Sequence, residues 1–221
     1  MKSLLFDYGG TLDADGTTWL ERFQPIYKEA GLDVPQDRFE RAFYDADDNL
    51  HLRHALKGLD LDQTVRLQVA DVLKTLAPER RDLIDPVADR FVADCRAQFK
   101  RLTPALERLA ARYRLGVVSN FYGNLEGLLA AEGLGRLFTV VADSGVLGVI
   151  KPEPGIFLHA VKAVSAAPAE CVMVGDSIKR DMAGAARVGM KMALISAADR
   201  APEAGQDWTI RSVADLEAAL G

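Results

Sequence analysis

The sequence predicts an α/β protein: a doubly wound parallel sheet with an all-helical segment inserted near its start. Three observations carry this. Residues 3–8 form a short apolar run that carries an acid, Asp7, near its end and leads into two glycines. From Thr17 to about Lys100, apolar residues recur at the helix period without a strand signal. After Thr103-Pro104, helical and strand patterns alternate, the pattern of a parallel sheet with helices on both faces.

Each element follows in order. The run around Leu5 reads as a buried strand. Trp19, Phe23, Ile26 and Tyr27 keep the helix period, as do Phe39, Ala42 and Phe43, and then Val65, Leu67, Val69, Val72, Leu73 and Leu76. Pro35 and Pro78 stand where new helices start, which gives about four helices in this stretch. Beyond it, helices are expected over Leu106–Tyr113, Leu125–Ala131, Ile156–Val164, Ile178–Val188 and Val213–Leu220. Strands are expected over Leu115–Val118, Leu137–Val141, Cys171–Val174, Met190–Ile195 and Trp208–Ile210. The first strand must join these later ones. Residues 1–15 and 101–221 therefore make an α/β core, and residues 16–100 a helical cap on two adjacent hinges, able to open and close over it.

Composition bounds the function. The 221 residues are 49% apolar and 27% charged, with a net charge of −5, and carry no basic stripe for nucleic acid. No apolar run approaches the ~18 residues of a membrane span. Asp7 interrupts the opening MKSLLF too early for a secretory signal, so a cytoplasmic protein is expected, with Cys95 and Cys171 as buried reduced thiols.

Polar residues stand where the apolar strands stop: Asp7, Ser119-Asn120 and Asp176. In a doubly wound sheet these strand ends share one edge, where ligands bind. Lys151, in IKPEPGIF, and Asp181, five residues beyond Asp176, can reach the same edge. Singly, each has a plain role: a strand-end acid or Ser119 can cap a helix, Lys151 can be solvated, and Asp181 can serve a helix dipole. Together they place up to three carboxylates in one pocket. A hard divalent cation such as Mg²⁺ resolves that repulsion. Lys151 offsets a further charge, while Ser119 and the backbone N–H groups beside Gly9 and Gly10 can hold phosphoryl oxygens. These are the parts that phosphoryl transfer through a covalent carboxylate needs.

In order and spacing, LLFDYGGTL, VVSN, KPEPGIF and VGDSIKRDMAGA resemble the four motifs of the haloacid dehalogenase superfamily, and the helical insertion lies where that family has its type-1 cap. The resemblance implies a Rossmann-like core and a Mg²⁺-dependent hydrolase acting on a small phosphorylated or anionic metabolite, as a monomer or homodimer. It implies Asp7 as nucleophile, and Asp7, the backbone carbonyl of Gly9, Asp176 and Asp181 around the metal. Asp181 would hold a metal-bound water or orient Lys151. Ser119 and Lys151 would bind phosphoryl oxygens, with Thr11 beside them and Asn120 near the substrate.

The sequence departs from the pattern at Gly9, where phosphatases of this family carry a second Asp as general acid and base. Such catalysis is worth ~10²–10⁴-fold, so an ordinary phosphate ester is expected to need a replacement acid or a good leaving group. Asp13 and Asp15 lie close behind but fit better as hinge or turn residues. Three alternatives stay open. A phosphonate hydrolase would use a cap lysine, of which Lys28, Lys57 and Lys74 are available. A 2-haloacid dehalogenase would not need Asp176 in VGDS. A non-catalytic phosphate binder would have little use for Asp7. In the cap, HLRHALKG is dense in possible contacts, with His51 and His54 expected on one helix face and Arg53 and Lys57 beside them. Trp19, Phe23 and Tyr27 are expected to form the cap's own core.

Overall fold

Strand β1 (Ser3–Phe6) is buried along its whole length because it lies in the middle of a six-stranded sheet. The computed structural model describes residues 1–196 and 205–221. The strands are β2 (Arg114–Ser119), β3 (Val140–Asp143), β4 (Cys171–Gly175), β5 (Lys191–Ile195) and β6 (Trp208–Ile210), in the order β3-β2-β1-β4-β5-β6. All pairs are parallel. The order reverses between β1 and β4, which is the switch point of a doubly wound sheet and leaves a crevice at the strand ends.

Successive side chains face opposite ways. Leu4, Phe6, Val117, Val172 and Val174 enter one apolar cluster, while Leu5, Val118, Met173 and Leu194 enter the other. The first cluster continues without a break into four helices that follow β1: α1 (Trp19–Glu29), α2 (Gln36–Arg53), α3 (Leu61–Leu76) and α4 (Ile84–Ala110). Thr18 starts α1 with a reciprocal capping box to Glu21, and Asp60 starts α3 the same way with Gln63. Phe23 of α1 stacks on Phe91 of α4, ring centroids 3.9 Å apart. The second cluster is closed by α7 (Pro154–Ala163) and α8 (Ala183–Val188), while α5 (Leu125–Ala131) packs into the first and α6 (Ser144–Leu147) and α9 (Leu216–Leu220) are short.

Several boundaries differ from the sequence expectation. The expected helix at Leu106 is the last part of α4, which runs through Thr103-Pro104 without stopping, so the 100/101 boundary falls inside a helix. The buried stripe Phe99, Leu102, Ala105, Leu106 and Leu109 crosses the proline intact, and that burial outweighs one lost backbone hydrogen bond. Leu137 belongs to a 3₁₀ turn, and β3 starts at Val140. The segment expected to be helical from Ile178 begins with a π-turn, Ile178–Met182. His51 and His54 do not share a helix face. Helix α2 ends at Arg53, and His54 is extended, its ring 3.0 Å from the Asp71 carboxylate. Both cysteines are free and buried. No helix among the described residues is long and apolar enough to cross a membrane.

Candidate active site

The end of β1 explains the acid and the glycines that the run leads into. The Asp7 N–H still donates to the Val174 carbonyl at 2.9 Å, so this residue stays locked to the sheet. The chain then winds tightly, with the N–H groups of Thr11, Leu12 and Asp13 all turned to the Tyr8 carbonyl. Gly10 sits at φ +77°, and a Cβ there would lie 2.7 Å from Asp176 Oδ2. Only glycine lets the loop pass so close to that carboxylate.

Three donors converge on one oxygen of Asp7. Tyr8 N–H at 2.7 Å, Ser119 Oγ at 2.8 Å and Lys151 Nζ at 2.7 Å all reach Oδ1. None of the three engages Oδ2. Lys151 is buried, and its ammonium bridges Asp7 and Asp181, at 2.6 Å from Asp181 Oδ1. Burial opposes that charge, but Asp181 and Asp7 outweigh it and raise the lysine pKa above its usual value. Asp181 is itself fully buried and accepts the Ser177 N–H at 3.0 Å. Its carboxyl is pushed up to about 6 by burial, against the pull of Lys151.

Asp7, Asp176 and Asp181 bring one carboxylate oxygen each within 4.8 Å of one another. Three carboxylates face one lysine there, and burial and then the charges of Asp7 and Asp181 hold Asp176 up at about 7. The donors are all oxygen and the site carries surplus negative charge. That composition fits a hard divalent cation.

The remaining sequence candidates divide. Ser119, Gly9 and Asn120 line the cleft together with Asp7, Lys151 and Asp176. The Asn120 amide is engaged at both ends by the backbone of Lys151, accepting its N–H at 2.7 Å and donating to its carbonyl at 3.2 Å, so it fixes the lysine loop. Thr11 is fully buried and does not line the cleft. Its hydroxyl donates to Asp176 at 3.3 Å. Asp13 and Asp15 are absent from the cleft lining. Asp13 accepts from Gly10 N, Trp19 Nε1 and Arg22, while Asp15 is held by Gln98 and Arg101. Neither Lys28, Lys57 nor Lys74 lines the cleft, nor do His51 and His54. Trp19 both packs in the core and lines the cleft.

The cleft is also lined by residues that sequence reasoning missed: Phe43, Tyr44 and Asp47 from α2, with Tyr122 from the loop after β2 and Arg180 from the π-turn after β4. Asp47 accepts a short hydrogen bond from the Tyr122 hydroxyl. The acid lies in the run DADDN, where it looks like any solvated helix acid.

The sequence model of the haloacid dehalogenase-like hydrolase family matches residues 1–189. The chain belongs to this family. Among its relatives, the bovine (Bos taurus) haloacid dehalogenase-like hydrolase domain-containing protein 3 is 41% identical over 83 residues, 38% of this chain and 33% of that protein. The phosphoserine phosphatase of Thermus thermophilus is 29% identical over 140 residues, 62% of this chain and 51% of that protein. The match thus spans a third to a half of the length of these curated relatives. The crystal structure of a HAD phosphatase from Thermococcus onnurineus superposes with a TM-score of 0.63 at 26% identity, covering 100% of this chain and 98% of that one. The six-stranded parallel sheet is the family's α/β fold.

Proposed function

We propose that this protein is a Mg²⁺-dependent phosphatase that cleaves a small phosphorylated metabolite through an aspartyl-phosphate on Asp7. In this reading residues 16–100 are a cap over a core of residues 1–15 and 101–221. The convergence of Ser119, Lys151 and the Tyr8 N–H on Asp7 Oδ1 carries the proposal. That arrangement orients the carboxylate and leaves its second oxygen to attack phosphorus in line with the leaving oxygen. Ser119 and Lys151 then face the oxygens of the transferring phosphoryl group, and Asp181 keeps the buried lysine charged and aimed. Asp7, Asp176 and Asp181, with the Gly9 carbonyl, would hold the cation, which supplies Lewis-acid charge neutralisation to phosphoryl oxygens. Thr11 and Asn120 act one step back, by positioning Asp176 and Lys151. Carbon–phosphorus cleavage is disfavoured because, among the described residues, Lys151 is the one lysine in the cleft and it is bound to two carboxylates.

The test is phosphate release from an aryl phosphate with added Mg²⁺ and again with excess chelator. Release that depends on the metal is expected. No release from any phosphate ester overturns the proposal.

A second expectation concerns pH. Asp176, with a usual value of 3.8 and a folded value of about 7, is protonated in the metal-free native state while ionised in the unfolded chain across that window. Metal-free stability should therefore fall as pH rises from about 4 to 7 and level off above it. A cation needs this carboxyl ionised, so the stabilisation by a fixed Mg²⁺ concentration should move the opposite way. Apparent affinity should weaken roughly tenfold per pH unit below about 7. Thermal unfolding from acid to neutral pH, with and without Mg²⁺, reads both slopes; a metal effect that does not change with pH would refute the assignment of Asp176.

A further inference from the structure

Resting on the reading that Asp7 takes the phosphoryl group, we propose that Asp47 of α2 is the proton donor to the leaving oxygen, with Tyr122 as its positioning residue.

Transfer to Asp7 breaks the bond between phosphorus and the ester oxygen. That oxygen leaves as an alkoxide unless a proton reaches it. Among the described residues, three carboxyl groups line the cleft: Asp7, Asp47 and Asp176. Asp7 attacks, and Asp176 belongs to the three-carboxylate cluster. Gly9, on the loop beside the nucleophile, has no side chain to give. Asp13 and Asp15 are bound elsewhere. Asp47 is left, on α2, in the same cleft as Asp7.

Its surroundings suit the task. Asp47 is half-buried, and its carboxylate accepts the hydroxyl hydrogen bond of Tyr122, from the loop that follows Ser119. The charged groups around it are Asp48 on its own helix and Arg180 from the turn after β4. Burial raises its carboxyl to about 6, with Asp48 adding to the shift and Tyr122 and Arg180 opposing it. An acid in that range keeps a protonated fraction near neutrality and is still strong enough to give the proton up. Tyr122 ties the acid to the loop that directly follows Ser119, so the donor is registered against the nucleophile's own partner.

The steps balance. Asp7 forms its bond to phosphorus as the ester P–O bond breaks, and the Asp47 proton passes to the departing oxygen, releasing an alcohol. Water then attacks the phosphorus of the aspartyl-phosphate and gives its proton to the Asp47 carboxylate. The bond to Asp7 breaks, inorganic phosphate leaves, and both side chains are restored.

The experiment is rapid-quench single turnover of the full chain with Mg²⁺, on an alkyl phosphate and an aryl phosphate, in wild type, Asp47→Asn and Tyr122→Phe. Asp47→Asn should lower the alkyl-to-aryl rate ratio by about 10²–10⁴-fold, because a good leaving group needs no proton. The alkyl reaction of wild type should lose rate above about pH 6, where the carboxyl raised by burial gives up its proton. Tyr122→Phe removes the donor that favours the ionised form, so that limb should move to higher pH. A purely structural role would not move it, and this variant keeps the test decisive if Asp47→Asn fails to fold. Equal slowing of both esters by Asp47→Asn, or an unmoved limb in Tyr122→Phe, overturns the assignment. Failure of the wild type to cleave even the aryl ester instead refutes the phosphoryl-transfer reading on which it rests.

Discussion

Asp7→Asn is expected to lower phosphate release by on the order of 10⁴–10⁶-fold, the scale of removing a covalent nucleophile. The substitution is nearly isosteric. The asparagine carbonyl can still accept the Tyr8 N–H and the Ser119 hydroxyl, which reach Asp7 at 2.7 Å and 2.8 Å. Lys151 keeps its second partner, Asp181, at 2.6 Å. The variant also removes a like charge that helps hold Asp176 and Asp181 above their usual range. It should therefore stay folded while losing the atom that attacks. Acid-quenched protein should carry covalent phosphate in wild type and none in the variant. Turnover within tenfold of wild type would mean that phosphorus is attacked by something other than Asp7.

Much of this site was legible in the sequence because parallel sheets concentrate their chemistry at strand ends. Asp7, Ser119 and Asp176 each follow a run of buried apolar residues, and the sheet order brings residues more than a hundred positions apart to one edge. Lys151 and Asp181 followed from the same logic, and the structure puts them in direct contact. The part of the cleft lined by α2 was not legible. Asp47 differs from its neighbours Asp45 and Asp48, both exposed, only through tertiary contact with Tyr122, 75 residues away. No local pattern in DADDN distinguishes them. Pro104 misled for the opposite reason. Local chemistry says that a helix stops there, yet the apolar stripe of α4 continues through it and wins. His54 misled by period alone, because α2 ends at Arg53 and His54 is extended, with its ring against the Asp71 carboxylate. Thr11 and Asn120 are expected at the phosphoryl site and near the substrate, but their side chains bond to Asp176 and to the Lys151 backbone, contacts that spacing does not reveal.

Asp13→Ala is expected to be the most damaging substitution for stability, although Asp13 lies outside the cleft. Its buried carboxylate accepts four groups: Gly10 N–H at 2.7 Å, Trp19 Nε1–H at 2.6 Å, Arg22 Nη1–H at 2.8 Å and, more weakly, the Cys95 thiol at 3.8 Å. Arg22 is mostly buried, with its guanidinium 4.2 Å above the Phe91 ring. Alanine would leave that cation without its carboxylate and strand two N–H donors. Breaking one side of a buried pair typically costs about 3–5 kcal/mol. For a chain of this size that is a fall in Tm of roughly 6–20 °C. The loss should be partly recovered by Arg22→Met, because the stranded charge goes with it, so the double variant should be more stable than Asp13→Ala alone. Equal or additive losses in that cycle would show that the pair is not coupled. The same carboxylate ties the Gly9–Gly10 loop, through Gly10, to Trp19 and Arg22 of α1. Its removal should therefore loosen the loop beside Asp7 as well as the junction between the sheet and the first helices. Turnover of the folded fraction is expected to fall together with Tm, whereas Asp7→Asn loses turnover and keeps its fold. That contrast separates a residue that holds the site in place from one that reacts in it.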